Sequence, residues 1–372
     1  MRRMTCSAIS VLLVATAVAQ PQDLAWRSRV AVAWNDAESG RGVVRAMSTR
    51  APFQFVTPAL DTDPDAVLHR SGKRLYVVSR PSGTVTAIDI ETWTVAQTYV
   101  LPKGSEPMDI VVVSAEAAYI SRAGATRLLK LKLENGGLSE SVDLTPVAGA
   151  DGVPDMDRML AYGRRLFVQM RREDGGDSAA QPALAVIDLV TEQLIDAIPA
   201  TLPIDPIVLN GTAPRMRMQV IGSPARLFVS ATGGFFDDGG IEAVDPVGLV
   251  SLGLAVAEAD HQTGADLGAF VMVKPEFGYL TFSTDLLLSS HLHAFRPFVS
   301  VDPNELHVSL NYFAPALTHD PLTNTLYVPH SFSEDGVHVF NAATGQQLTP
   351  QPTPTSGHVT DLLLLSRLTL TP

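Results

Sequence analysis

The chain has 372 residues, of which 46% are hydrophobic and 18% are charged, a balance that supplies a large core and excludes general disorder. Its formal net charge of −12 argues against a nucleic-acid-binding surface, because such binding depends on lysine and arginine contacts to phosphate. The 27 glycines and 26 prolines are spread along the chain and favour many short strands over long helices, which indicates an all-β fold.

Residues 1–19 have the pattern of a secretory signal peptide. Arg2 and Arg3 precede an apolar run that ends on small residues, so we expect cleavage after Ala19. A membrane anchor is the alternative, but it needs about 20 apolar residues and this run is shorter. We therefore expect an exported protein, periplasmic, cell-surface or extracellular, with no transmembrane segment in the mature chain. The single cysteine, Cys6, lies in the same segment, so the mature chain would have no disulfide and no thiolate ligand.

The rest of the chain, residues 20–372, repeats one short pattern of an apolar-aromatic strand, a polar turn and a second alternating strand. The clearest copy joins residues 75–79 to residues 85–89. Seven copies are marked by the central residue of the first strand: Ala31, Tyr76, Tyr119, Phe167, Phe228, Tyr279 and Tyr327. Successive markers are about 45 to 60 residues apart, close to the length of a four-stranded propeller blade. The spacing predicts a single domain, a seven-bladed β-propeller.

Two further patterns fit this fold. Asp188, Asp245 and Asn341 follow the second strand of their copies, where we expect each side chain to hold a turn rather than to act as an acid. Residues 358–370 form an apolar strand, which we expect to pair with the N-terminal blade and close the ring. A disordered tail is the alternative, but an exposed run of four leucines at residues 362–365 would promote aggregation.

The copies resemble the YVTN-type β-propeller repeat. The second copy has Leu-Tyr-Val at residues 75–77, then residues 85–89, then a Gly-x-x-Pro turn at residues 104–107. The first copy lacks the aromatic residue, and the region of residues 253–281 follows the pattern loosely. Residues 151–156 also look like part of bacterial envelope propellers of unassigned role. The resemblance implies a propeller fold and an exported location, but no single activity, because such propellers serve as surface, binding and enzymatic scaffolds.

Familiar catalytic motifs are absent from the sequence, including the zinc-protease, phosphate-loop, dinucleotide and nucleophile-elbow patterns. His291 and His293 are the best metal pair, because residues two apart on a strand project from the same face. Ordinary surface or hydrogen-bonded histidines are the alternative. The other histidines that could converge are His261, His307, His319, His330, His338 and His358. A metal site requires several ligands close to one point. The structural test is whether three or more of the following histidines lie within ligand distance of one point: His261, His291, His293, His319, His330 and His358.

Calcium is a second metal hypothesis. Residues 61–65 begin like an EF-hand loop, but Ala66 and Gly72 stand where that loop needs a glycine and a bidentate acid. We exclude an EF-hand and retain a looser site built from these acids, or from Asp237 and Asp238, against the alternative of solvated acidic turns. The sequence predicts no other cofactor.

A ligand site is expected at the mouth of the central channel, which the innermost strands and the loops leading into them would line. The turns there combine arginine, acids, histidine and methionine. From them we select four residues as ligand-binding: Asp155, Arg215, His319 and His358. The alternative is that methionines fill the channel and the acids cap turns.

The function we expect is a non-enzymatic binding or interaction scaffold of the cell envelope or secreted fraction, with a protein, glycan or small molecule as its partner. The alternative is a propeller enzyme, a metal-assisted lactonase-like hydrolase or a lyase, with its site at the channel. A redox propeller resembling amine-dehydrogenase heavy chains or nitrous oxide reductase is a third reading, but the sequence has no haem motif. Metal analysis of the purified protein would distinguish the binding scaffold from the metal-assisted enzyme.

Overall fold

A computed structural model describes residues 28–173, 181–201, 203–211, 217–231, 239–261, 266–283, 289–310, 314–331 and 334–366. These residues form seven antiparallel sheets arranged as a β-propeller, so the predicted fold is confirmed. The described residues contain two short 3-10 turns, Thr145–Val147 and Glu258–Asp260. None of the helical segments among them is long and apolar enough to span a membrane. Residues 1–19, predicted to be a signal peptide, lie outside the described part.

The first three blades follow one another along the chain. Their strands are β1 (Ser28–Asn35), β2 (Gly42–Ser48), β3 (Leu60–Thr62), β4 (Val67–Ser71), β5 (Arg74–Ser79), β6 (Thr84–Asp89), β7 (Thr94–Val100), β8 (Pro107–Val112), β9 (Ala117–Arg122), β10 (Arg127–Lys132) and β11 (Leu138–Asp143). Blade 1 takes β1–β3, blade 2 takes β4–β7, and blade 3 takes β8–β11.

The remaining blades continue the same order. Their strands are β12 (Met156–Tyr162), β13 (Arg165–Met170), β14 (Ala183–Asp188), β15 (Gln193–Leu194), β16 (Ile207–Val208), β17 (Gln219–Ile221), β18 (Arg226–Ala231), β19 (Gly240–Asp245), β20 (Val250–Ala257), β21 (Asp266–Lys274), β22 (Phe277–Ser283), β23 (Ser289–Arg296), β24 (Ser300–Val301), β25 (His307–Leu310), β26 (Thr318–Asp320), β27 (Thr325–His330), β28 (Gly336–Asn341), β29 (Thr353–Pro354) and β30 (Val359–Ser366). Blade 4 takes β12–β16, blade 5 takes β17–β20, blade 6 takes β21–β25, and blade 7 takes β26–β29.

The last strand, β30, returns to blade 1 and closes the ring. It pairs antiparallel with β1, from Ser28 opposite Ser366 to Trp34 opposite Val359. The indole Nε1 of Trp34 also donates a hydrogen bond of 3.0 Å to Oγ of Ser356. The predicted closure by a C-terminal strand is therefore confirmed. β30 occupies the innermost position of its blade, and it contacts the innermost strands β4 and β26 of the two neighbouring blades.

The core is divided into layers between blades. The seven marker residues of the repeat all lie in the second strand from the axis, on β1, β5, β9, β13, β18, β22 and β27. Each is at least 95% buried. Seven buried apolar clusters are present among the described residues, and each combines side chains from two adjacent blades. Face-to-face burial of apolar side chains from successive blades thus stabilises the ring without a disulfide.

The acidic residue that closes the third strand has the predicted structural role. Oδ1 of Asp188 accepts hydrogen bonds from the backbone N–H groups of Val190 and Thr191, at 2.7 and 3.0 Å. Asp245 and Asn341 make the equivalent pair of bonds in their own turns. These bonds lower the pKa of the Asp188 and Asp245 carboxyls, which keeps both groups ionised rather than proton-donating.

Blades 4 and 6 have an interrupted outer edge. In blade 4, β15 and β16 both pair with β14, and in blade 6, β24 and β25 both pair with β23. The interruption in blade 6 spans residues 302–306. It allows β25 to begin at His307, on the side of the blade that faces blade 7.

Candidate functional site

Three histidines meet between the outer edge of blade 6 and the middle strands of blade 7. His307 opens β25, His330 ends β27, and His338 lies in β28. Even-numbered residues of β27 and β28 face blade 6, where Leu326 and Phe340 pack into the apolar layer between these blades. The same alternation directs His330 and His338 toward His307.

The three rings form a compact triangle. One ring nitrogen of each histidine lies within 4.8 Å of the other two, and each pair of ring centroids is 4.9 Å apart. Nε2 of His307 and Nδ1 of His330 are 3.0 Å apart. Nitrogens bound tetrahedrally to zinc at about 2.0–2.1 Å stand about 3.3 Å from one another, so small side-chain movements would let all three bind one ion.

The donor set identifies the class of ion. Imidazole nitrogen suits zinc, copper, nickel and iron, whereas calcium takes oxygen ligands. The triangle therefore fits a transition-metal ion. The acids of the calcium hypothesis have protein partners: Asp61 pairs with Arg41 at 3.5 Å, Asp63 accepts from the Ser82 backbone, and Asp65 bonds Asn35. Asp237 and Asp238 lie outside the described residues.

Burial keeps the three rings neutral. Desolvation lowers the pKa of His307 to about 3 and the pKa of His338 to about 4, and the neighbouring histidines add to both shifts. Burial also lowers the pKa of His330, although the negative charges of Asp335 and Glu334 oppose that shift. A neutral imidazole carries the lone pair that a metal ion requires, so the rings are ready to bind without losing a proton to water.

Polar groups behind His338 orient its ring. Its Nδ1 lies 3.2 Å from Oγ1 of Thr349 and 3.1 Å from Nε2 of Gln347. Thr349 Oγ1 is itself fixed by a hydrogen bond of 3.0 Å from the backbone N–H of Val339. Ligation through Nε2 would place a proton on Nδ1, which Thr349 Oγ1 can accept, whereas Gln347 could accept it only with its amide oxygen turned toward the ring. An outer partner of this kind fixes the tautomer and orientation of a metal-binding histidine.

A second group of histidines lies on the opposite side of blade 6, in a groove that faces blade 5. The groove has a volume of about 950 Å³, and its lining includes His261, His291 and His293 together with Asp260 and Glu305. His291 and His293 share one face of β23, as the sequence predicted. Among the described residues, no third side chain joins this pair in a group whose ligand atoms all lie within 4.8 Å of one another, as those of the triangle do.

Hydrogen bonds in this groove occupy ring nitrogens. Nδ1 of His291 lies 2.5 Å from a carboxylate oxygen of Glu305, and its Nε2 lies 2.8 Å from Oγ of Ser289. Nδ1 of His293 lies 3.0 Å from the carbonyl oxygen of Asp302. Both nitrogens of His291 are therefore engaged, which leaves it poorly suited as a ligand.

The ring of His261, which lines the same groove, packs against two other rings. It stacks on Phe282 with the centroids 4.3 Å apart, and it stands edge-on to His293 at 4.7 Å. Burial and the nearby histidines lower the pKa of His261 to about 4.

The structure describes three of the four residues chosen for a channel-mouth site. Asp155 and His358 directly precede the innermost strands β12 and β30, and His319 is the middle residue of the short innermost strand β26. Arg215 lies outside the described residues. His319 lines the axial cavity, and so does Arg217, which follows Arg215 by two residues in the sequence. Their role in ligand binding stays a prediction.

Asp155 and His358 each have a local partner. A carboxylate oxygen of Asp155 accepts a hydrogen bond of 2.8 Å from the backbone N–H of Glu173, and burial raises the pKa of this carboxyl. Nδ1 of His358 lies 3.1 Å from Oδ1 of Asp335. Asp335 also acts electrostatically on His330, so His358 stands near the triangle without joining it.

Side chains also join the innermost strands to one another around the axis. Oδ2 of Asp361 on β30 accepts a hydrogen bond of 2.8 Å from the backbone N–H of Leu68 on β4. Asp109 on β8 makes the same bond to Met159 on β12. These acids are buried, and burial raises the pKa of Asp109 to about 6. They therefore hold the ring together rather than cap turns at the channel mouth.

The sequence contained a signal for two of the three triangle residues. The hairpin of blade 7 repeats the register of the second copy, with Tyr327 opposite Val339 and Val328 opposite His338. That register alone places His330 and His338 on one face of the sheet. The set of histidines chosen for the sequence test omitted His307 and His338, so the sequence interpretation did not single out this site.

Fold and site together define a seven-bladed β-propeller with a three-histidine cluster between two blades. No protein-family model matches the chain, and no curated protein matches its sequence.

Several solved structures share the fold. A putative 6-phosphogluconolactonase from Bacteroides fragilis matches with a TM-score of 0.63 and 14% identity, over 93% of this chain and 100% of that one. A protein from Lactobacillus plantarum matches with a TM-score of 0.57 and 14% identity, over 91% and 99%. Apo AztD from Citrobacter koseri matches with a TM-score of 0.51 and 14% identity, over 91% and 98%. At such identities the likeness shows the fold alone, and membership of the YVTN repeat family stays a prediction.

Proposed function

We propose that this protein is an exported β-propeller that binds one divalent transition-metal ion through His307, His330 and His338. The observation that carries the proposal is the convergence of three neutral imidazoles from two blades, with ligand nitrogens within 4.8 Å of one another. Zinc is the ion we propose, because it takes nitrogen ligands in a tetrahedral arrangement and has no preference for a stricter geometry.

The role we propose is a binding scaffold of the cell envelope or secreted fraction. An ion held by His307 of blade 6 and by two histidines of blade 7 would cross-link neighbouring blades and stabilise the folded state. Three protein ligands leave one tetrahedral position for a carboxylate or imidazole of a protein, glycan or small-molecule partner. The net charge of −12 makes nucleic acid an unsuitable partner.

A metal-assisted hydrolase is the second candidate, and the number of ligands favours it. Catalytic zinc sites hold the ion with three protein ligands and keep the fourth position for water. His307 and His330 are only partly buried, so water can reach them. Glu334 and Asp335, whose charges act on His330, are acids that could serve as a base. The name of the Bacteroides fragilis neighbour supplies lactones as the first substrate class to test.

Metal analysis of the purified protein tests metal binding itself. We expect one zinc ion per chain after dialysis, lost on treatment with a chelator and restored by added zinc. A large excess of calcium should leave the bound zinc in place, because the site offers nitrogen donors. Chelated protein that shows no saturable uptake of zinc, nickel or copper in calorimetry would contradict the proposal.

Lactone hydrolysis separates the scaffold from the enzyme. The assay compares chelated and zinc-loaded protein, and it includes the Glu334→Gln and Asp335→Asn variants. Zinc-dependent turnover that one of these variants abolishes, with zinc still bound, supports the hydrolase. Zinc binding with no turnover over the background rate supports the scaffold for this substrate class.

A further inference from the structure

The axial channel contains a second, chemically different cavity. It has a volume of about 240 Å³ and is lined by residues of blades 1, 5, 6 and 7, with Arg158 of blade 4 on the facing wall. Most of the lining is apolar and includes Phe270, Met272 and Leu362. The polar lining residues are Arg158, Arg217, Gln219, Thr318, His319, Thr360 and Asp361.

Two of these polar side chains bury a hydrogen-bond donor that has no acceptor among the described residues. They are Nε of Arg158 and Oγ1 of Thr360. Nη1 of Arg158 donates a hydrogen bond of 3.3 Å to the carbonyl oxygen of Met108, but its Nε is 3.7 Å from the nearest carboxylate oxygen, that of Asp157. Buried donors without a partner destabilise a fold and are rare, so each one calls for an acceptor.

Arg217 contributes further donors to the same cavity. Its Nη2 donates to the carbonyl oxygen of Leu68 at 2.9 Å and to both carboxylate oxygens of Asp361, at 2.9 and 2.7 Å. These bonds fix the guanidinium and use one of its three nitrogens. Nε and Nη1 have no protein acceptor in the described part of the chain, and the side chain is 43% exposed.

The charges of the lining favour one negative charge on a ligand. Two guanidinium groups face one carboxylate, that of Asp361. Asp157 offsets part of the positive charge of Arg158, and Asp109 interacts electrostatically with both arginines, although both acids lie outside the lining. Burial lowers the pKa of His319, so its ring adds no positive charge near neutral pH. A dianion such as phosphate would exceed this charge, and the apolar wall would leave it poorly solvated.

We propose that the axial cavity binds a small organic monocarboxylate. The carboxylate accepts hydrogen bonds from Nε and Nη1 of Arg217, with Arg158 and Thr360 as further donors once their side chains rotate toward the cavity, and the hydrocarbon part packs on the apolar wall formed by blades 5, 6 and 1. Guanidinium groups suit this role because their planar N–H donors match the geometry of a carboxylate. The site is separate from the triangle of histidines and does not depend on a metal ion.

Calorimetric titration of the purified protein tests this proposal with four probes: acetate, butyrate, hexanoate and butyramide. We expect saturable binding of butyrate or hexanoate, tighter than that of acetate, and no binding of butyramide, which has the shape of butyrate without its charge. Arg158→Gln should weaken carboxylate binding by about tenfold, since a charge-assisted hydrogen bond is lost. Thr360→Val, a nearly isosteric change, should weaken it a few-fold.

Arg226→Gln is the matched control, because Arg226 lies on β18 against Phe298 and does not line the cavity. It should bind the probes as the unaltered protein does. Butyramide binding as tightly as butyrate, phosphate binding more tightly than either, or equal binding by Arg158→Gln and Arg226→Gln would each overturn the proposal. So would the absence of saturable binding by every carboxylate up to about 10 mM. Thr360→Val keeps the test informative if Arg158→Gln fails to fold.

Discussion

Two groups of three histidines lie on opposite sides of blade 6, one facing blade 7 and the other facing blade 5. Together they contain six of the nine histidines of the chain. In the triangle between blades 6 and 7, the ring centroids are 4.9 Å apart, and the rings are tilted or edge-on to one another. In the groove between blades 5 and 6, the rings of His291 and His293 are bonded to Glu305, Ser289 and the backbone of Asp302.

The difference shows that the number of histidines does not decide whether a site can hold a metal ion. What decides is the direction of the ring nitrogens and the partners that already occupy them. His291 has a carboxylate on one nitrogen and a hydroxyl on the other, which makes it part of a polar network. His338 has outer partners on one nitrogen and two imidazole rings with centroids 4.9 Å away, an arrangement suited to the metal binding proposed above.

The largest effect should come from removing one histidine of each group. His338→Ala should weaken zinc binding by more than about 100-fold, since losing an outer partner alone costs 10- to 100-fold. His293→Ala, the matched change in the other groove, should leave zinc affinity unchanged. Zinc titration followed by calorimetry measures both. An equal loss of zinc affinity in the two variants would contradict the proposal, because it would mean that zinc does not bind at the triangle alone.

Zinc itself should stabilise the protein through the triangle. At a free zinc concentration of about 100 times Kd, a ligand that binds only the folded state adds about 2.7 kcal/mol to the free energy of unfolding. We expect Tm to rise by about 5 °C in differential scanning calorimetry. The same rise should be seen in His261→Gln and should vanish in His330→Ala. A rise that persists in His330→Ala would show that zinc stabilises the fold elsewhere.

A smaller effect is expected from the outer partner of His338. Thr349→Val removes the hydroxyl that lies 3.2 Å from Nδ1 of His338, and it should weaken zinc binding by about tenfold. Thr353→Val is the control, because that hydroxyl bonds the carbonyl oxygen of Phe53 instead. Competition with a fluorescent zinc chelator resolves this difference. Unchanged zinc affinity in Thr349→Val would remove the orienting role assigned to this threonine.

The smallest effect is a change in how stability depends on pH, and it involves His261 in the groove between blades 5 and 6. The pKa of His261 is about 4 in the folded protein and near 6.5 when unfolded, so the unfolded chain takes up the proton first as the pH falls. The stability that His261 contributes is complete above pH 6.5 and is lost progressively toward pH 4. His261→Gln should reduce the acid-induced loss between pH 6.5 and 4.5 by about 1 kcal/mol, because solvent screens this partly exposed ring.

Urea unfolding at several pH values measures that change. Arg226→Gln, a substitution on blade 5 without a titrating imidazole, should keep the pH dependence of the unaltered protein. A His261→Gln variant with the same pH dependence would mean that the ring is not desolvated as described.

Much of the fold could be predicted from the sequence, because each blade repeats the same pattern of buried strand residues and polar turns. Six of the seven marker residues are aromatic and all seven are buried where blades pack, and Asp188 or its equivalent holds the turn that follows. The closing strand was predictable because residues 359–366 are too apolar to remain exposed. Each of these features depends on neighbours in sequence or on a simple alternation of side chains.

The candidate site was less predictable, because it depends on a break in the repeat. His307 reaches blade 7 only because the outer edge of blade 6 is interrupted and resumes as β25. No periodic pattern marks that interruption. The sequence could place His319 on an innermost strand and Asp155 directly before another, but the repeat pattern does not give the distance between them, so their role in ligand binding stays a prediction.

Because β30 forms part of the axial cavity wall, the cavity is complete only when the ring is closed. This strand supplies Thr360 and Asp361 to the cavity wall, and its partner β1 is more than 300 residues away in sequence. A protein truncated before Val359 would lose the seal of the ring and part of the cavity wall together. Folding must also wait for this long-range pairing, which makes closure a late and slow step. The ligand binding proposed for the axial cavity would therefore require a sealed ring.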